Sequence, residues 1–131
     1  MDEAIHAAAL WSGILILLLI GLSGLTVRRR QRHLVAFGDG GQPELTAASR
    51  AFGNAASYVP AGLIALTLLA LTGAPANMIH AIGATLLVGR VVHAVGLLFQ
   101  KGASLGRVAG MLLTYLALLV AAVSLLAYGV V

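Results

Sequence analysis

Four long apolar stretches account for almost the whole chain and constrain its fold more than any other feature. They cover residues 4–27, 45–72, 76–99 and 108–131. A helix needs about 20 residues to cross the hydrocarbon core of a bilayer, and each stretch is long enough. The sequence therefore predicts an all-α integral membrane protein with a single transmembrane domain over residues 1–131. Its spans are expected at approximately 4–33, 44–72, 76–101 and 106–130.

The composition narrows the possible chemistry. Hydrophobic residues make up 60% of the chain and charged residues only 9%. A polar group inside a span is costly there, so it marks a functional site by default. The chain has no cysteine, which excludes a cysteine nucleophile or a thiolate metal site. No metal site is predicted, because no two histidines are spaced i, i+3 or i+4, and no common hydrolase or nucleotide-binding motif appears.

The connections between the stretches are short or rich in turn formers. Residues 37–43 read FGDGGQP, in which Asp39 is interpreted as a turn residue, and residues 73–75 and 101–104 allow only tight turns. Short connections make consecutive helices antiparallel neighbours, so an antiparallel four-helix bundle is expected. Gly106 and Gly110 are spaced for close helix contact, as is Gly53 with its neighbouring serines.

The cations predict the orientation of the bundle. Seven of the eight Lys and Arg residues lie at one side, whereas the start of the chain and the 73–75 turn carry none. By the positive-inside rule the basic side is cytoplasmic and both termini are on the non-cytoplasmic side. The positive residues lie at helix ends next to lipid headgroups, without interleaved aromatic residues. Membrane lipids are thus expected partners and nucleic acid is not.

The second stretch carries a polar face. Arg50, Asn54 and Tyr58 are spaced i, i+4, i+8 and fall on nearly one side of a helix. Two interpretations remain open at this point. The side chains could bond to neighbouring helices while Arg50 reaches the interface, or they could form an anion-binding wall that extends inward from the interface.

Arg90 and His93, three residues apart, add polar groups to the third stretch. Arg90 lies too deep to reach the interface, and no acidic residue lies inside a span. It is therefore expected to be satisfied by an external anion or by backbone carbonyls. His93 is expected to be a hydrogen-bonded structural residue.

Two further groups of arginines flank the spans. The arginines at 28–30 and 32 could fix the orientation of the first helix in the membrane, and they could also bind a carboxylate. Arg107 opens the fourth helix, where a cation adds to the positive end of the helix dipole. It would stabilise a thiolate or a carboxylate at that point.

These residues resemble a known family. Residues 50–60, RAFGNAASYVP, look like the second-helix signature R-x3-N-x2-E-Y-x-P of the MAPEG family, the membrane-associated proteins in eicosanoid and glutathione metabolism. Residues 38–41 and 90–96 look like its bacterial branch. The resemblance covers nearly the whole chain. It implies a four-helix subunit that assembles as a homotrimer, with glutathione bound between neighbouring subunits near the cytoplasmic side.

The resemblance also assigns roles to individual residues. Arg107 matches the arginine that stabilises the thiolate and is the expected catalytic residue. Ser57 stands where the signature has a Glu that holds the glutathione amino group, and His93 stands where a tyrosine is expected. The implied glutathione-binding residues are Arg29, Arg30, Arg50, Asn54, Ser57, Tyr58, Arg90 and His93.

The function implied is a membrane-embedded, glutathione-dependent transferase or peroxidase-like protein of the bacterial inner membrane. Glutathione would be the co-substrate and would attack an apolar electrophile. The missing Glu favours the alternative of a catalytically inactive, MAPEG-fold structural or accessory membrane subunit. A third class, a haem or small-ligand carrier, would use His6 and His80 near the outer ends of two spans.

Overall fold

The computed structural model describes residues 1–102 and 104–130. Four helices account for most of them: α1 (Asp2–His33), α2 (Pro43–Leu71), α3 (Ala76–Phe99) and α4 (Leu105–Gly129). Each is long and apolar enough to cross a membrane. The predicted all-α, membrane-spanning four-helix fold is confirmed. Ala103, in the predicted 101–104 turn, and Val131 lie outside the described residues.

The helices are antiparallel to their neighbours in sequence, and the central two contact every other helix. α2 and α3 pack on each other and each also packs on α1 and α4, whereas α1 and α4 do not meet within the described part of the chain. The core is rich in alanine, with leucine and isoleucine filling the wider gaps. The most extensive contact joins α3 and α4.

Glycines set the close approach of α3 and α4. A Cβ atom placed on Gly110 would lie 2.5 Å from the backbone nitrogen of His93. A Cβ on Gly96 would lie 2.7 Å from the backbone nitrogen of Arg107. Such contacts between backbones are possible only where side chains are absent. These glycines therefore bring His93 and Arg107 side by side. Gly53, by contrast, faces open space.

The α1–α2 connection is built around Asp39. Its carboxylate accepts hydrogen bonds from the Gly41 N–H at 3.0 Å and from the Thr46 hydroxyl at 2.8 Å. Both bonds favour the ionised form, so they hold the pKa of Asp39 below its ordinary range. Asp39 is thus a turn residue, as the sequence indicated.

Candidate functional site

A polar cavity lies between α2, α3 and α4, at the end of the bundle that carries Arg50 and Arg107. It has a volume of about 410 Å³. Five of the predicted site residues line it, together with a glycine and a leucine: Arg50, Gly53, Asn54, Ser57, His93, Leu97 and Arg107. The tertiary structure thus gathers residues from three separate helices around one space.

A second cavity of about 340 Å³ adjoins the first along α4. His93 and Arg107 line both cavities. The remaining lining of the second one is mostly apolar and consists of Val108, Met111, Leu112 and Tyr115. The polar cavity and the apolar cavity therefore share one histidine and one arginine in their lining.

Arg90 lies in the wall behind the polar cavity and is only 1% exposed. Its Nε donates to the Thr114 hydroxyl at 2.8 Å, and a second N–H donates to the Asn54 side-chain oxygen. The Tyr58 ring covers the guanidinium, with its centroid 5.2 Å from Cζ. The expectation that an external anion or backbone carbonyls satisfy Arg90 was therefore wrong. Neutral side chains on α2 and α4 do so, because both helices pack against this part of α3.

The bond to Arg90 orients Asn54. The side-chain oxygen accepts from the guanidinium, so the NH2 group is the donor that remains for a ligand in the cavity. Tyr58 is held in a similar way. Its hydroxyl lies 3.2 Å from the hydroxyl of Tyr115, and the two rings meet edge to face with centroids 5.8 Å apart. Asn54 and Tyr58, two of the three residues of the polar face of α2, are thus fixed by groups on α3 and α4.

His93 is a hydrogen-bonded residue, as expected. Its Nδ1 lies 3.0 Å from the backbone oxygen of Arg107. A carbonyl oxygen can only accept, so Nδ1 carries the hydrogen and the neutral ring keeps its lone pair on Nε2. The ring also lines both cavities. A structural role and a role in ligand contact are therefore compatible.

Arg107 occupies the first turn of α4. Its backbone N–H donates to the capping Ser104 hydroxyl at 3.3 Å, and its guanidinium donates to the Gly102 carbonyl at 2.7 Å. This position places a full positive charge beside the positive end of the helix dipole. An anion in either cavity would be stabilised by both.

None of the described residues that line the polar cavity is acidic. Ser57, which stands at the position of the expected Glu, donates its hydroxyl to the Gly53 backbone carbonyl of its own helix at 2.8 Å. Arg50 and Arg107 are the charged residues of the lining. Two cations without a carboxylate suit an anionic ligand, and nothing in the lining replaces the missing acid as a partner for an ammonium group.

Arg29 and Arg30 do not line the polar cavity. Arg29 donates to the backbone carbonyl of Glu44, and Arg30 donates to the Gly38 carbonyl at 2.7 Å. Both therefore fasten the α1–α2 connection. Their distance from the cavity follows from the packing, because α1 lies on the side of the bundle opposite α4.

His6 and His80 line a separate cavity of about 480 Å³ at the other end of the bundle. The Trp11 Nε1–H donates to Nδ1 of His80 at 3.0 Å. Since Nδ1 accepts, the neutral ring carries its hydrogen on Nε2. A metal ligand needs a lone pair on the coordinating nitrogen, so this tautomer does not present Nε2 as an axial haem ligand.

Three residues of α4 that contact the site were not predicted from the sequence: Met111, Thr114 and Tyr115. Met111 places its sulfur 3.2 Å from a guanidinium nitrogen of Arg90. A signal for two of them was present. Met111 and Tyr115 follow Arg107 at i+4 and i+8, the same spacing as the polar face of α2.

Comparisons of the whole sequence with known proteins found one family and two curated relatives. The model of the MAPEG family matches residues 8–127. A curated relative, Inner membrane protein YecN of Escherichia coli (strain K12), is 38% identical over 112 residues, which are 86% of this chain and 84% of the relative. The protein of the same name from Escherichia coli O6:H1 matches equally well. No solved structure gives a significant match.

Proposed function

This chain belongs to the MAPEG family, and on that premise we propose that it is a glutathione-dependent transferase or peroxidase-like protein of the bacterial inner membrane. One observation carries the proposal. A polar cavity with two arginines and no acid adjoins an apolar cavity, and His93 and Arg107 line both. This arrangement suits a reaction between an anionic, water-soluble thiol and an apolar partner that arrives through the lipid.

The residues of the polar cavity suit the two carboxylates and the thiol of glutathione, whereas its ammonium group finds no acidic partner among the described lining residues. Arg50 would pair with a carboxylate, and the Asn54 NH2 group would donate to a second acceptor. Arg107, with the N-terminus of α4 beside it, would stabilise the thiolate over the thiol. The protein would thereby contribute positioning and charge, while the sulfur carries out the attack.

We also propose that the chain assembles as a homotrimer, and the exposed face of α2 supports contact between copies. From Arg50 onward, exposed residues lie at intervals of three or four positions along the helix, at Arg50, Gly53, Ser57, Ala61, Ile64, Leu68 and Leu71, and Pro60 and Thr67 beside them are exposed as well. Small and polar groups at that spacing suit contact between helices better than contact with lipid. Pairing of this face with other copies would also bring Arg29 and Arg30 of a neighbour towards the cavity.

The expected result of native mass measurement in mild detergent is a trimer, because a monomer would leave the polar part of the α2 face in the acyl chains. Substitution of Gly53 by leucine should weaken the trimer. A side chain at this position meets nothing within a single chain, so a leucine would project into the proposed contact with a neighbouring copy. The variant Gly13→Leu, at an exposed position of α1, serves as the matched control. A monomeric wild-type protein would contradict the assembly.

The orientation follows from the same distribution of charge that the sequence shows. The α1–α2 connection and the start of α4 would face the cytoplasm, and both termini the other side. The glutathione cavity would then open on the side where the basic helix ends contact anionic headgroups.

Restoring the missing acid tests glutathione binding. Ser57→Glu should tighten binding by roughly 10- to 100-fold in titration calorimetry, the effect of one charge-assisted hydrogen bond of about 1.5 to 3 kcal/mol. Ser57→Gln has the same size without the charge and is the control. Equal affinity of the Glu and Gln variants would show that the ammonium group of the ligand is not held at this position.

One observation favours the alternative function, a catalytically inactive structural or accessory subunit of the same fold. The Ser57 hydroxyl is bonded to its own helix and the cavity lining has no acid. If neither the wild type nor Ser57→Glu binds glutathione at millimolar concentration, the transferase proposal fails and the accessory role is the better description.

A further inference from the structure

A further cavity, the α1–α2 groove, lies between the first two helices towards the end of the bundle that carries the arginines of α1. It has a volume of about 590 Å³ and shares no lining residue with the polar or the apolar cavity. Leu19, Ile20, Val27 and Phe52 make most of its wall, and Gly24 leaves a hollow between them. Ile20 and Val27 are 61% and 50% exposed, so the groove opens towards the acyl chains around the bundle.

The groove has a polar end, formed by Arg28 and Gln31. These residues are three positions apart and therefore lie on one face of α1. The neighbouring arginines are engaged, because Arg29 and Arg30 donate to backbone carbonyls and Arg32 forms a surface ion pair. Arg28 has no such partner among the described residues of the chain. Its guanidinium is thus available to an external anion.

We propose that the α1–α2 groove binds one anionic phospholipid from the leaflet that meets the basic helix ends. An acyl chain would lie along the apolar wall, and the phosphate would accept hydrogen bonds from Arg28 and Gln31. The dimensions agree with this arrangement. Leu19 precedes Arg28 by nine residues, which is about 14 Å along a helix. One leaflet supplies half of a hydrocarbon core that is about 30 Å thick.

The lining favours an anionic phospholipid over other amphiphiles. A guanidinium matches the geometry of a phosphate group. None of the described lining residues is acidic, so the ammonium group of a zwitterionic headgroup would find no partner there. Ser23 also lines the groove, about 8 Å deeper than Arg28 along the helix. Its hydroxyl can donate to an ester carbonyl, which a phospholipid carries below its phosphate and a fatty acid lacks at that depth.

Native mass spectrometry of the delipidated protein, titrated with defined lipids, tests the anion site. The wild type should bind one dioleoylphosphatidylglycerol per chain. It should bind dioleoylphosphatidylcholine, which has the same acyl chains and no net charge, about tenfold more weakly. Arg28→Ala should remove this preference. Arg32→Ala also removes one cation from the end of α1, but Arg32 does not line the groove, so this variant should keep the preference.

A pair of glycine variants tests the apolar part of the groove. A Cβ atom on Gly24 or on Gly21 would meet nothing within 4 Å, so leucine at either position is compatible with the fold. Only Gly24 lines the groove. Gly24→Leu should lower the affinity for both lipids by at least about tenfold, because the leucine takes the place of several methylene groups. Gly21→Leu, three residues away on the same helix, should bind both lipids as the wild type does.

Four other results would overturn the lipid site. Equal effects of Arg28→Ala and Arg32→Ala would mean that net charge alone attracts the lipid. Oleate that binds as tightly as dioleoylphosphatidylglycerol would mean that any anionic amphiphile suffices. Wild-type lipid binding in Gly24→Leu would place the lipid elsewhere. If Gly24→Leu instead dissociated an assembly that Gly21→Leu left intact, a second copy of the chain would fill the groove. None of these measurements involves glutathione, so the proposed transferase function stands or fails separately.

Discussion

Substitution of Gly110 by leucine should cause loss of the folded bundle in detergent. A Cβ atom at this position would lie 2.5 Å from both the backbone nitrogen and the Cβ of His93, and 2.7 Å from the Gly89 carbonyl oxygen. Because two of these are backbone atoms, α3 and α4 would have to separate. Overpacking a core with a few extra atoms costs about 1 to 3 kcal/mol. A leucine against backbone should cost more than that, a large share of the roughly 5 to 15 kcal/mol that stabilises a domain.

The measurement is thermal unfolding followed by circular dichroism, together with gel filtration. Gly21→Leu is the matched control, because a Cβ at that exposed position of α1 meets nothing within 4 Å. Gly110→Ala should give an intermediate loss and should also move His93 away from Arg107. If Gly110→Leu unfolded within a few degrees of the wild type, the close approach of α3 and α4 would be wrong.

Substitution of Arg50 by alanine should abolish glutathione binding. In the proposed trimer the guanidinium would pair with a glutathione carboxylate that is partly removed from water. Leaving such a charge without its partner costs about 3 to 5 kcal/mol, which lowers affinity by at least about 100-fold. Arg50→Lys keeps the charge but loses the two-pronged geometry, so an intermediate affinity is expected. Titration calorimetry of the wild type and the variants measures these differences.

Arg32 and Arg107 provide the comparisons. Arg32 forms a surface ion pair with Glu44 at 3.9 Å, and Arg32→Ala should bind glutathione as the wild type does. Arg107→Ala should bind with little loss but should reduce the ultraviolet absorbance of the bound thiolate, the pattern of a group that acts on the charged form. Wild-type affinity in Arg50→Ala would place the binding site elsewhere.

The number of helices, their class and the family could be predicted from the sequence. The thickness of the bilayer fixes the length of an apolar helix, so a stretch such as 45–72 is informative without any knowledge of its neighbours. The spacing of Arg50, Asn54 and Tyr58 gave their shared face for a similar reason, because it depends only on the geometry of one helix. The match of the family model to residues 8–127 then confirmed the family that residues 50–60 had indicated.

The identity of contacts between helices could not be predicted in this way. The partners of Arg90 come from α2 and α4, and the periodicity of α3 carries no information about either. The same holds for Tyr115, whose contact with Tyr58 joins residues 57 positions apart. An external anion was expected for Arg90 because only acidic side chains and backbone carbonyls were considered as acceptors. The hydroxyl of Thr114 and the amide of Asn54 accept instead.

The sequence by itself thus determined the number, the length and the polar faces of the helices. The tertiary structure decided which side chains of different helices meet and where the cavities between them lie. Local propensity, span length and charge act within one segment, and they can be evaluated along the chain. His93 and Arg107, which line both cavities, lie side by side because glycines such as Gly96 and Gly110 let α3 and α4 approach closely. That approach depends on the fit of two surfaces, and the fit is a property of the packed bundle.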